Sequence, residues 1–140
     1  MNPFQSLREY EEFIYTLKQR HQSVQRSTLI VARRGKRTAI VLGEITFAKG
    51  YRITLRERIS FDVERVVIES YGYELWCHGE KFAWYDSQPH TNDPNLVVTN
   101  PHHKHIPPNI KHNRAPAPDM HFDQPNLQFL IQEIESLLKK

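Results

Sequence analysis

The stretch Tyr71-Gly72-Tyr73-Glu74-Leu75-Trp76-Cys77-His78-Gly79-Glu80-Lys81-Phe82-Ala83-Trp84-Tyr85-Asp86 decides the fold. Apolar residues recur at every second position on both sides of His78-Gly79, which is the period of a half-buried strand. A two-residue turn at His78-Gly79, with glycine at positive φ, joins two antiparallel strands. That turn predicts Leu75 opposite Phe82, Tyr73 opposite Trp84 and Tyr71 opposite Asp86. Cross-strand aromatic pairs of this kind stabilise a hairpin by up to about 1 kcal/mol each.

The same reasoning extends upstream. Strands are predicted over 27–34, 37–47, 51–61 and 63–77, with 80–86 closing the series. Their connections are short, so neighbours in sequence are antiparallel neighbours in space. Ala48-Lys49-Gly50 fits a three-residue loop with Gly50 in the left-handed region. This register sets Phe47 opposite Tyr51 and Ile45 opposite Ile53, so that apolar residues share a face. Between Leu29 and Leu42 the apolar runs are continuous, which calls for cover on both faces, and the N-terminal helix is expected over the second. That helix is read from the helical spacing of Phe4, Leu7, Tyr10, Phe13, Ile14 and Leu17. It spans about residues 3–25, with Asn2-Pro3 as cap and first position.

Downstream of Asp86 the periodicity stops and prolines gather between Pro89 and Pro125, the mark of a long loop. A final apolar stripe, Leu127, Leu130, Ile131, Ile134, Leu137 and Leu138, predicts a C-terminal helix, with Asp123 and Asn126 as candidate caps. The expected fold is therefore α+β: an antiparallel meander sheet of about five strands flanked by an N-terminal and a C-terminal helix. One domain covers 1–140, divided into a helix (1–26), the sheet (27–86), a His/Pro-rich loop (87–125) and a helix (126–139).

Composition narrows the class. Hydrophobic content of 39% and charged content of 25% are ordinary for a globular protein. The formal charge of +3 permits a nucleic-acid partner without demanding one. Cys77 is the single cysteine, so no internal disulfide forms and a reducing cytoplasm is the expected location. Met1-Asn2-Pro3-Phe4 lacks the charged and apolar regions of a signal peptide, and no apolar run approaches the length of a membrane span.

Chemistry concentrates in Pro101-His102-His103-Lys104-His105-Ile106-Pro107. Imidazole exchanges protons near neutral pH and is the commonest metal ligand. His90, His112 and His121 widen the bias, so that six of the eight histidines lie between Ser87 and Pro125. Flanking prolines favour an extended segment, which points His103 and His105 one way and His102 the other. Glu57 interrupts an otherwise apolar face formed by Tyr51, Ile53, Leu55, Ile59 and Phe61. A buried carboxylate must be partnered or shifted in pKa, so Glu57 is either a satisfied structural group or a catalytic one. Asp86 follows Phe82 and Trp84 to the edge of the loop and carries the same two readings. Arg52, Arg56 and Arg58 form a basic stripe, either a solvated face or a track for a phosphate backbone.

Several chemistries lack their motifs. There is no Gly-rich phosphate loop, nucleophile elbow or dinucleotide fingerprint. Two imidazoles with Asp86 or His90 compose a zinc set, but neither Cys-x-x-Cys nor His-Glu-x-x-His is present. The leading expectation is a site with no metal and no cofactor.

Tyr71-Gly72-Tyr73, then Trp84-Tyr85-Asp86-Ser87-Gln88-Pro89-His90, then Pro101-His102-His103-Lys104-His105-Ile106 together resemble the TumE family of toxin–antitoxin proteins. That family carries a Tyr-x-Tyr strand, an Arg-Tyr-Asp-Asn-x-x-His segment and a Phe-Pro-His-His-Lys-His motif in this order, with a strand glutamate matched by Glu57. The likeness runs from about Thr28 to the C-terminal helix. Trp84 stands where the family has arginine, Ser87 where it has asparagine and Asn100 where it has phenylalanine. The resemblance implies a small toxin with a cognate antitoxin as partner.

Three functions follow as expectations. The first is a metal-independent endoribonuclease toxin. Acid and base would come from two of His102, His103 and His105, with Glu57 and His90 at the same site. Asp86 would orient a histidine and Lys104 would stabilise the phosphate. Arg52, Arg56 and Arg58 would hold the RNA. The second is a non-catalytic nucleic-acid- or protein-binding module. The third is a small zinc protein.

Overall fold

A computed structural model describes residues 3–90 and 92–140. The expected cap at Asn2 lies outside the described residues. Helix α1 (Leu7–Tyr15) is instead capped by Ser6, whose hydroxyl accepts the Glu9 N–H at 3.1 Å. The helical run breaks at Thr16 and resumes as the single turn α2 (Leu17–Arg20), ending short of residue 25. The predicted stripe is nevertheless the buried one: Phe4, Leu7, Tyr10, Phe13, Ile14 and Leu17 all lie in the core.

The sheet has eight strands rather than about five. They are β1 (Arg26–Ser27), β2 (Ile30–Arg33), β3 (Thr38–Thr46), β4 (Tyr51–Phe61), β5 (Val66–Cys77), β6 (Glu80–Asp86), β7 (His103–His105) and β8 (Arg114–Pro116). All pairings are antiparallel, in the order β1-β3-β4-β5-β6-β7-β8, with β2 also on β3. Two differences explain the larger number. The single strand expected over 27–34 divides into β1 and β2, and both pair with β3. The stretch 87–125 is not one open loop, because β7 and β8 extend the sheet from within it.

The β3–β4 turn forms as expected. Ile45 stands opposite Ile53, and the Phe47 N–H donates to the Tyr51 carbonyl at 2.8 Å. Gly50 has φ +78°, and a Cβ there would stand 2.4 Å from the His78 ring, so only glycine fits. The β5–β6 turn also forms at His78 and Gly79, both at positive φ. Its register departs from the expected one. Cys77 pairs with Glu80 and Trp76 with Lys81, but then Leu75 pairs with Ala83. Phe82 is the extra residue of a β-bulge and turns against Tyr51 at 5.9 Å between ring centroids. Tyr73 therefore faces Tyr85, Glu74 faces Trp84 and Gly72 faces Asp86. The predicted Leu75–Phe82, Tyr73–Trp84 and Tyr71–Asp86 pairs do not form. Beyond the bulge every side chain changes face. Tyr85 enters the core and donates to Glu133 at 2.7 Å, while Trp84 moves to the other side.

Both helical regions pack on the same face. Helix α3 (Leu127–Leu138) buries Leu127, Leu130, Ile131 and Ile134, and α1 covers the neighbouring part of the sheet. The expectation that the N-terminal helix covers a second face is thus corrected. The opposite face carries Leu42, Arg56, Gly72 and Trp84, and Arg56 and Arg58 are exposed on it. At the open edge Ile30 keeps 49% of its surface exposed. Among the described residues no helix is long and apolar enough to cross a membrane.

Candidate functional site

The β6 bulge and two late strands build the site. The β6 bulge turns Asp86 to the face away from the helices. Strand β7 pairs Asp86 with His103 and Trp84 with His105, so these four side chains share that face. As the extended reading predicts, His103 and His105 point together and His102 points the other way. Strand β8 then sets Arg114 beside His105.

Asp86 is the hub. Its Oδ1 lies 2.9 Å from His103 Nε2, and its Oδ2 accepts from His105 Nε2 at 2.9 Å. The Gln88 N–H also donates to Oδ1 at 2.9 Å, an Asx turn that fixes the carboxylate plane. His103 Nδ1 lies 3.0 Å from the Pro101 carbonyl, which can only accept, so this nitrogen carries a proton. The Nε2 contact of His103 is oblique to its N–H line and is held by charge. His103 is 1% exposed and His105 3%, whereas the Asp86 side chain keeps 11%. His90 stands half-buried over His103, edge to face, with ring centroids 4.7 Å apart. Trp84 stacks on His105 at 4.2 Å.

The local charges drive the protonation states apart. Burial pulls His103 down, but Asp86 and the Pro101 carbonyl outweigh it and hold the imidazole above its ordinary pKa. Asp86 behaves conversely: burial raises it, and contact with His103, the Gln88 N–H and His105 hold it below the usual carboxylate value. His90 is lowered by burial, then by the positive charges of Arg114 and His103. His102 is lowered by burial and by the charges of His121 and His103.

The structure brings together Asp86, His90, His103 and His105. It does not bring Glu57 to them. Glu57 is 0% exposed on the helix-covered face, where Tyr10 and Tyr73 donate their hydroxyl protons to its two oxygens. Asn126 in turn donates to the Tyr73 hydroxyl at 3.1 Å. The expected meeting of Glu57 with Asp86 and His103 is therefore corrected. Burial raises the Glu57 pKa, partly offset by the two tyrosine hydrogen bonds. His102 also lies apart, its Nδ1 2.7 Å from the Tyr71 hydroxyl, between the Tyr71 and Phe122 rings. Lys104 pairs with Tyr85 and reaches over that ring at 5.8 Å, on the side away from Asp86.

Sequence reasoning missed Arg114, the cation that does approach the cluster. Nothing around it marks it; only the β7–β8 pairing places it there. A cleft of about 530 Å³ opens beside Asp86, with Tyr71, Gly72, Trp84, Pro101 and Phe122 among its walls. This volume falls in the range of small-molecule sites. Neither His105 nor Arg114 lines this cleft; the Nδ1 of His105 and the Nε of Arg114 are buried without a hydrogen-bond partner.

The arrangement sets His103 and His105 on one carboxylate, with His90 against His103 and the Arg114 position paired with His105. The atoms of Asp86, His103 and His105 also lie within 4.8 Å of one another, the spacing of metal ligands. A family model described as Toxin TumE matches residues 13–138. No curated protein and no solved structure gives a significant match.

Proposed function

The chain belongs to the toxin TumE family; from that membership we propose a toxin countered by a cognate antitoxin, and from the histidine cluster an endoribonuclease that works without a metal ion. RNA cleavage through the neighbouring 2′-hydroxyl needs a base for that proton, an acid for the 5′-oxygen and positive charge at the phosphorus. In this reading His90 is the base, because burial and the charges of Arg114 and His103 lower its pKa. His103 is the acid, held protonated by Asp86 and Pro101. Arg114 takes the phosphate role first expected of Lys104. His105 and Asp86 fix the position of His103. The observation that carries this reading is the Asp86 carboxylate holding two imidazoles at 2.9 Å each, with a third imidazole resting on one of them. His103 is covered by His90 here, so substrate entry moves His90 aside.

One observation favours a second reading, a zinc site made by Asp86, His103 and His105. The Pro101 carbonyl fixes the His103 tautomer as backbone carbonyls do for metal-bound histidines, leaving Nε2 for the ion. The two readings separate in one experiment. Purified protein and a His90→Ala variant are incubated with cellular RNA in excess EDTA. Cleavage by the parent alone supports the metal-independent enzyme. Activity lost in EDTA and restored by zinc supports the metal site. No cleavage in either condition removes the ribonuclease reading.

A further inference from the structure

The face of the sheet opposite the helices has an order that the cleavage centre does not use. Arg52, Trp76, Lys81 and Trp84 form a ladder of alternating cations and rings. Arg52 stands 4.9 Å from the Trp76 ring, Lys81 5.6 Å from Trp76 and 4.7 Å from Trp84, and His105 stacks beyond. Alongside runs a groove of about 300 Å³ whose lining includes Thr54, Arg56, Gly72, Glu74 and Trp84. Its lining shares Gly72 and Trp84 with the cleft beside Asp86. The floor is open because residue 72 has no side chain. A Cβ there would meet only the Trp84 indole nitrogen, at 3.9 Å, so glycine is not imposed by backbone strain or by crowding.

Charge on this face leans positive: Arg52, Arg56, Arg58 and Lys81 share it with Glu44 and Glu74. Glu74 is matched by Lys81 at 2.7 Å, and Asp86 by its histidines. Among the described residues Arg56 and Arg58 are exposed and make no ion pair. Exposed cations beside aromatic rings are the surface that single-stranded nucleic acid uses, with phosphates on the cations and bases against the rings.

We propose that the Gly72 groove seats a single-stranded segment of RNA, with phosphates on Arg56 and Arg58 and bases against the indole edge of Trp84 that borders Gly72, and feeds it to the Asp86 end. The proposal rests on the ribonuclease reading for its direction but is tested by binding alone. The probe is a short labelled RNA strand of mixed sequence carrying 2′-O-methyl groups, which cannot be cleaved through the 2′-oxygen. Its affinity is measured by fluorescence anisotropy over a series of salt concentrations, for the full chain and two variants. Gly72→Val fills the floor while suiting a strand, so its thermal melting should equal or exceed that of the parent. Its affinity should fall at least about tenfold. Arg56→Thr with Arg58→Thr should make the logarithmic salt slope shallower by about 0.7 for each lost phosphate contact.

A blunt RNA duplex should bind at least about tenfold more weakly than the strand. Equal binding by Gly72→Val and the parent, tighter binding of the duplex, or no binding by the parent would each overturn the proposal. So would loss of the antitoxin complex in Gly72→Val with RNA binding intact, which would assign the face to the protein partner. Binding as described with no cleavage of ordinary RNA would leave the groove standing and remove the ribonuclease reading. Cleavage that survives Gly72→Val unchanged would do the reverse.

Discussion

Tyr10, on the first helix, donates its hydroxyl proton to Glu57, a carboxylate with no exposed surface in the centre of the sheet. Tyr73 donates to the other oxygen of the same carboxylate, and Asn126, at the start of the last helix, donates to Tyr73. One chain of hydrogen bonds thus ties both helices to the sheet. Tyr10→Phe removes one donor to a buried charged acceptor and should cost about 1.5–3 kcal/mol in urea unfolding at neutral pH. Glu57→Ala should cost more, because it leaves two buried hydroxyl protons without an acceptor as well as a cavity.

Glu57 should also leave a pH signature. Its folded pKa is raised by burial, so the folded state prefers the protonated acid. The stability it contributes is full below its unfolded value, about 4.3, and is lost as pH rises through the folded value. Glu57→Gln should flatten the stability profile over that interval. An unchanged profile would show that the tyrosines hold Glu57 ionised throughout.

The Asp86–His103 pair predicts a different window. Asp86 is lowered, so its contribution is full above about pH 3.9 and is lost as pH falls through its folded value. His103 is raised, so its contribution is full below about pH 6.5 and is lost as pH rises through its folded value. A double-mutant cycle with Asp86→Asn and His103→Gln should therefore show its largest coupling near pH 5 and little coupling at strongly alkaline pH.

Removing the cluster is not a neutral surface change. His103 and His105 would be exposed in an open loop, but here they are 1% and 3% exposed and bonded to a buried carboxylate. The double change His103→Ala with His105→Ala should destabilise by about 3–5 kcal/mol, since it leaves the buried Asp86 carboxylate with the Gln88 N–H but without its charged partners. Circular dichroism melts check this, and they decide whether any loss of toxicity in that variant reports on mechanism.

The half-buried residues make cleaner probes of function. His90→Ala and Arg114→Ala should each lower RNA cleavage about 100-fold or more, the usual loss for a missing base or phosphate-binding cation. Lys104→Ala should lower it less than about tenfold, because its ammonium lies over Tyr85 on the other side of the sheet. Initial rates on one RNA substrate, with melting curves for each variant, test the order. A Lys104 effect as large as that of Arg114 would return the phosphate role to the histidine motif.

Much of this protein follows from sequence periodicity alone. Alternation of apolar residues fixed the antiparallel order of the central strands, and the glycine turns at 50 and 79 fixed where they reverse. The stripe from Phe4 to Leu17 and that from Leu127 to Ile134 marked both helices, because a face that must be buried repeats with the helical period. The spacing of His103 and His105 gave their common direction, since extended side chains alternate.

What only the tertiary structure decided depends on single residues inserted into strands and on pairing across long separations. The extra residue Phe82 moved Tyr85 into the core and turned Trp84 and Asp86 outward, a change of face that alternation cannot signal. Strands β7 and β8 have few apolar residues and arise only because the free edge of β6 offers hydrogen bonds to them. Their pairing joined Asp86 to two histidines and brought in Arg114. The Phe82 bulge also separated Asp86 from Glu57, which interrupts an apolar strand in the same way, by putting the two on opposite faces of the sheet. Sequence pattern shows that a polar group is buried; which face and which partners receive it is settled by register.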